Sequence, residues 1–160
     1  MKILVIGIGN PGRGDDGLGP AIVAGLTGTK AEALPEGAVL AVPGRSVEAV
    51  WKYQLNIEDA HLIRDYEAVV FADASREDGE PVSFRPLRPA PAVAFTTHAL
   101  APAAVLALCE ELYGAVPEAR LLAVRGHSWE PADGLSAEAR SGLRSAGETL
   151  ASFLDSFSRT

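Results

Sequence analysis

The chain has 160 residues, 48% of them apolar and 22% charged, a composition that can bury a conventional hydrophobic core. Its formal net charge of −7 argues against nucleic acid as a main partner, because phosphate contacts need a basic surface. The single cysteine, Cys109, excludes an internal disulfide and a cysteine-rich zinc cluster, and no apolar run approaches the ~20 residues needed to span a bilayer.

The chain opens on Lys2 and an apolar run, residues 3–6, that leads into the turn Gly7-Ile-Gly-Asn-Pro-Gly-Arg-Gly-Asp-Asp16. The run is short, preceded by one basic residue and followed by no small-residue cleavage pattern, so it reads as a strand rather than a leader, and a cytoplasmic location is expected. Further apolar runs at 39–42, 69–72 and 121–124 are continuous rather than alternating, as suits strands covered on both faces. Helices are expected at 20–26, 46–55, 99–113 and from about 137 to 157. The third carries Leu100, Ala104, Leu108 and Leu112 on one face, and the last carries Leu143, Ala146, Leu150, Phe153 and Phe157. Ser136 is the expected N-cap of the last helix, with Glu138 in its first turn. The stretch 81–91 carries four prolines and reads as an edge strand followed by an extended loop. Strands alternating with helices predict an α/β fold in one domain, residues 1–160: a three-layer sandwich with a mostly parallel twisted sheet flanked by helices and one antiparallel edge strand.

In such sheets, ligands bind beyond the carboxyl ends of the strands. The spacing Gly7-x-Gly9-x-x-Gly12 satisfies a dinucleotide fingerprint, yet Asp15 and Asp16 follow at once, where a pyrophosphate wants amides and positive dipole. A metal or cationic group is the better guest. Three candidates gather at predicted strand ends: Asp16 after the first strand, Asp73 closing Val69-Val-Phe-Ala-Asp73, and His98 in Phe95-Thr-Thr-His98 just before a helix. Two carboxylates and an imidazole form a three-ligand set with open positions, the pattern of a catalytic or substrate-borne divalent metal. A helix N-terminus disfavours imidazolium and keeps His98 able to coordinate. Each residue also has a plain structural reading. Asp15 is the better helix-cap candidate of its pair, Asp73 a turn former and His98 a helix-boundary residue. His61 reads as an ordinary surface or half-buried helix residue, the Arg85, Arg88 pair as a solvated edge, His127 as a supporting residue, Trp51 and Trp129 as packing residues, and Cys109 as a buried inert thiol.

Gly7-Ile-Gly-Asn10 with Asp15-Asp16-Gly-Leu-Gly19, Ala72-Asp73-Ala74, Thr97-His98-Ala-Leu-Ala-Pro102 and Gly126-His-Ser-Trp-Glu-Pro-Ala-Asp-Gly-Leu-Ser136 resemble, in the same order, the hydrogenase maturation endopeptidases. The resemblance implies an endopeptidase that removes a C-terminal peptide from the nickel-loaded large-subunit precursor of a nickel–iron hydrogenase. It implies that Asp16, Asp73 and His98 contact the nickel of the precursor, supplied by the substrate, and that zinc or cadmium could take its place in vitro. Hydrolysis then runs either through a metal that polarises the carbonyl or activates water, or through an aspartate as general base; the first suits this ligand set better. A monomer is the expected state. Two departures stand out: aspartate at position 16, where some relatives carry glutamate, and Ala41-Val-Pro-Gly-Arg45, where many carry Asp-x-Gly-Thr. Arg45 or a helix over 51–55 is the expected reader of the precursor.

Three rivals are weaker. Gly7-x-Gly9-Asn-Pro-Gly12 is also similar to the start of peptidyl-tRNA hydrolases, but no histidine follows before His61 and the acidic chain suits tRNA poorly. A dinucleotide reading lacks an acid at the end of the second strand, at Val42-Pro43-Gly44. A non-catalytic nickel-binding maturation factor would use the same three ligands.

Overall fold

A computed structural model of the chain describes residues 2–91 and 99–158. The strands are β1 (Ile3–Ile8), β2 (Leu40–Ala41), β3 (Val47–Lys52), β4 (Ala68–Ser75), β5 (Val82–Leu87) and β6 (Glu118–Arg125); the helices are α1 (Leu18–Thr27), α2 (Glu58–Ile63), α3 (Pro102–Tyr113) and α4 (Ala137–Ser158). They form one sheet in the order β2-β3-β1-β4-β6-β5. The four inner strands run parallel, and both edges, β2 on β3 and β5 on β6, are antiparallel. The expected antiparallel edge is therefore β5, where Pro86 sits without interrupting a central ladder; β2 adds a second, two-residue edge.

Strand periodicity sorts the core into two layers. Ile3 and Val5 of β1, with Ala68, Val70 and Ala72 of β4, pack among residues of α1 and α4. Leu4, Ile6 and Ile8, with Val69 and Phe71, pack among residues of α2 and α3. This is the expected three-layer α/β sandwich.

Three expectations fail. The run 39–42 is not a strand covered on both faces: only Leu40–Ala41 pairs, antiparallel at the sheet edge, with Ala41 exposed. Residues 46–55 are not a helix: β3 takes up Val47–Lys52 and pairs with β1 over its whole length. Val47, Ala49 and Trp51 face the α1/α4 layer and Val50 the other, so strand burial on both faces overrides the helical reading. The core face of α3 is also rotated. Val105, Leu106 and Cys109 are fully buried, whereas Leu112 is 59% exposed. The stripe on α4 holds, with Leu154 added to it.

The chain passes from β1 to β3 on one side of β1 and returns to β4 on the other. That reversal opens a crevice beyond the carboxyl ends of β1 and β4, the usual ligand position of a doubly wound sheet. Close backbone packing shapes it. A Cβ on Gly19, in the first turn of α1, would lie 2.3 Å from the Ile8 carbonyl oxygen and 2.8 Å from that of Ala72; one on Gly7 would lie 2.2 Å from the Gly19 carbonyl oxygen. Gly25, in the same helix, has open space around it. Gly19→Ala is expected to cost about 3 kcal/mol by overpacking, whereas Gly25→Ala adds roughly 0.5–1 kcal/mol of helix stability. Urea unfolding of the two variants checks the contrast.

Candidate functional site

The turn after β1 contains a short 3-10 segment, Gly14–Gly17, that carries both aspartates before α1 begins. Their environments differ completely. Asp15 is fully buried. Its Oδ2 accepts hydrogen bonds from the amides of His127 (2.7 Å) and Ser128 (3.0 Å) and from the Ser136 hydroxyl (2.7 Å), and its Oδ1 from the Ser136 amide (2.8 Å). Burial works against the charge, but these bonds outweigh it and hold the Asp15 carboxyl below its ordinary pKa. The cap reading of Asp15 is thereby corrected: it caps neither the 3-10 segment nor α1. Instead it clamps the turn to the loop between β6 and α4. Ser136 does cap α4, accepting from the Ala139 amide at 3.1 Å. The clamp is close-fitting, since a Cβ on Gly126 would lie 2.6 Å from the Trp129 ring and 3.1 Å from Asp15 Cβ.

Asp16 is half-buried, and its Oδ2 accepts from the Asn10 amide at 2.8 Å. Gly9 makes room for it: φ there is +140°, and a Cβ would lie 1.9 Å from the Asp16 carbonyl oxygen. Asp73, near the end of β4, is also half-buried and lies one residue beyond the last pairing of β4 with β1. Burial is the main reason its pKa rises from 3.8 to about 7. One hydrogen bond from the Ala74 amide, 2.9 Å, pulls the other way, and the charge of Asp16 raises it further. The fold therefore brings Asp16 and Asp73 into electrostatic contact at the crevice. A cation between them would relieve the repulsion and supply the counter-charge that Asp73 lacks. His98 lies outside the described residues, and among those described no group of three His, Cys, Asp or Glu side chains is placed to hold a metal.

The dinucleotide fingerprint has no cradle behind it. Every amide from Gly9 to Asp16 that can donate is already bonded within the chain: Gly9 to Lys52 O, Asn10 to Asp16 Oδ2, Gly12 to Asn10 Oδ1, Arg13 to Asn10 O, Gly14 to Ala132 O, Asp15 to Ser128 O and Asp16 to Arg13 O. The glycines serve packing and turning.

The remaining candidates fall into place. Cys109 is buried, and burial raises its thiol pKa, as suits an inert core residue. His61 is exposed on α2 against Tyr113 and Arg64. His127 contributes its backbone amide to Asp15, a supporting role. Arg85 and Arg88 are exposed. Trp129 packs under the Arg76 guanidinium, 3.9 Å from its ring centre. Arg45 precedes β3 and pairs with Asp155 at 2.6 Å. Two residues that matter were not singled out for the site. Trp51 donates its indole N–H to the Gly9 carbonyl at 3.0 Å, and Asn10 positions Asp16 through its amide. The first needed the β3–β1 register; the second is a backbone contact that no residue type announces.

No protein-family model matches the sequence, and no curated protein matches it either. Solved structures do. The hydrogenase maturating endopeptidase HybD from E. coli superposes with a TM-score of 0.72 at 24% identity, over 98% of this chain and 93% of that one. A hydrogenase 2 maturation peptidase from a Thaumarchaeota archaeon gives 0.63 at 25% identity, over 96% and 98%. The [NiFe] hydrogenase maturation protease HycI from Thermococcus kodakarensis gives 0.65 at 23%, over 96% and 92%. The chain has the fold of the hydrogenase maturation endopeptidases, as its motifs implied.

Asp15 and Asp73 differ in what their loss should do. Asp15→Ala leaves the amides of His127, Ser128 and Ser136 without their acceptor and is expected to cost about 3 kcal/mol, read by chemical unfolding. Asp73 carries a folded pKa above its ordinary value, so its ionisation opposes folding. That penalty is absent below about pH 4, grows as pH rises, and is complete above about 7. In chelator-treated protein, Asp73→Asn should be neutral at pH 4 and stabilising at pH 8 by on the order of 1–2 kcal/mol once solvent screening is allowed for; calorimetric melting at the two pH values checks it.

Proposed function

We propose that this protein is a processing endopeptidase that removes a C-terminal peptide from the nickel-loaded large-subunit precursor of a nickel–iron hydrogenase, in the cytoplasm. The observation that carries the reading is the Asp16–Asp73 pair at the switch point of a sheet whose solved likenesses are maturation proteases. His98 completes the proposed ligand set. In this reading the nickel arrives with the substrate, and the carboxylates and imidazole test whether loading is complete. Both carboxylates are oxygen donors with positions to spare: Asp16 accepts one amide and Asp73 one. The metal then orients the precursor's chain against the pair and polarises what it touches.

A specific observation also supports acid–base use of the same pair. A carboxyl raised to about 7 is matched to proton transfer at neutral pH, so Asp73 is the group suited to take a proton from attacking water.

The test mixes the purified protein with nickel-loaded and nickel-free precursor and follows loss of C-terminal mass. Loaded precursor is expected to be cut and unloaded precursor left intact, with Asp16→Asn and His98→Ala slowing the reaction by about 100-fold or more. Cleavage indifferent to nickel, or unaffected by both substitutions, overturns the reading.

A further inference from the structure

Beside the crevice, on the α1 side of the sheet, lies a cavity of ≈ 530 Å³, well within the ~300–1,000 Å³ of typical ligand sites. Its walls come from the outer side of the glycine turn, the start of α1, the segment before β2 and the loop before α4. Pro11, Leu34, Trp51 and Leu135 give it an apolar lining. The charged residues that line it are Glu32 and Asp133, both exposed and both acidic. Neither has an ion-pair partner among the described residues. Arg13 and Lys30 adjoin lining residues in the chain but do not themselves line it.

Trp51, which lines the cavity, has an aromatic neighbour. Tyr53, 53% exposed, sets its ring centre 5.1 Å from that of Trp51, and its amide donates to Glu36 at 3.2 Å, so that a third carboxylate lies close to this pair. Exposed tyrosine beside buried tryptophan, ringed by acids, is a surface for apolar side chains that carry or flank positive charge. Phosphate is excluded by the acids and by the fully used amides of the turn.

The groove is coupled to the crevice through one residue. Trp51 donates to the Gly9 carbonyl, and Gly9 is the residue packed against Asp16. The 3-10 segment thus shows Gly14 and Gly17 to the groove while Asp16 faces Asp73.

We infer that this groove docks a cationic, apolar-flanked peptide segment of the substrate, with its Lys or Arg side chains against Glu32 and Asp133 and its apolar side chains against Pro11, Leu34 and Trp51. The inference rests on the processing function for the identity of the chain that carries the segment, though not for the chemistry of its recognition. The electrostatic part speeds encounter and selects sequence, and the apolar part sets residence.

The test titrates the full protein, by calorimetry, with a capped heptapeptide of alternating Leu and Lys and with its Leu–Glu counterpart. The cationic peptide is expected to bind at least ~10-fold tighter than the acidic one, and the double variant Glu32→Gln, Asp133→Asn to weaken it by ~5–10-fold. With the loaded precursor, the double variant should raise KM by a similar factor with kcat unaltered. Equal affinity for the two peptides, or a double variant that binds the cationic one as before, overturns the groove. Charge-selective peptide binding without any cleavage of precursor sustains the groove and discards the processing function; cleavage with an unchanged KM in the double variant does the reverse.

Discussion

The carboxylate of Asp15 accepts hydrogen bonds from residues 112 to 121 positions away in the chain, and the geometry of the crevice follows from them. A turn rich in glycine has many accessible conformations and loses much entropy on ordering. Here a buried charge, paid back by four donors, fixes the turn against the loop that leads into α4. With that end anchored and every amide of the turn engaged, the next residue, Asp16, has one place to stand. Asp15 holds the backbone and Asp16 faces the crevice, although the two are adjacent and identical.

Three aspartates show how environment alone assigns a role. Asp15 is the most deeply buried of them, yet its pKa falls, because donors surround it. Asp73 accepts one amide and faces a like charge, so burial prevails and its pKa climbs to about 7. Asp16 supplies the charge that Asp73 feels. Hydrogen bonds to the ionised form lower the pKa of Asp15, while desolvation and a like charge with a single compensating bond raise that of Asp73. A site built this way favours a positive guest.

The glycines place the crevice where it is. Gly7 and Gly19 let α1 approach the ends of β1 and β4 more closely than any side chain would permit, and Gly9 lets the turn fold back on Asp16. That close approach also leaves the groove on the outer side of the turn, walled by Trp51, whose indole ties it to Gly9. Packing, turning and presentation are one arrangement, which is why a fingerprint of nucleotide binders appears in a chain whose amides are all spent.

Much of this was legible in the sequence. Continuous apolar runs marked β1, β4 and β6 because strands buried on both faces need apolar residues at every position. The stripe on α4 and its Ser136 cap were local patterns, and local patterns survive folding. Asp16 and Asp73 could be picked out as acids at strand ends. What the sequence could not contain was β3, whose residues read as a helix until a slot beside β1 made them a strand, or the rotation of α3, which is set by what it packs against. Nor could it say which of two adjacent aspartates turns inward, since that depends on donors contributed by His127, Ser128 and Ser136. Residue type and spacing determined which groups were available. The tertiary structure decided which of them meet, because hydrogen bonding and desolvation act between residues that only the fold makes neighbours.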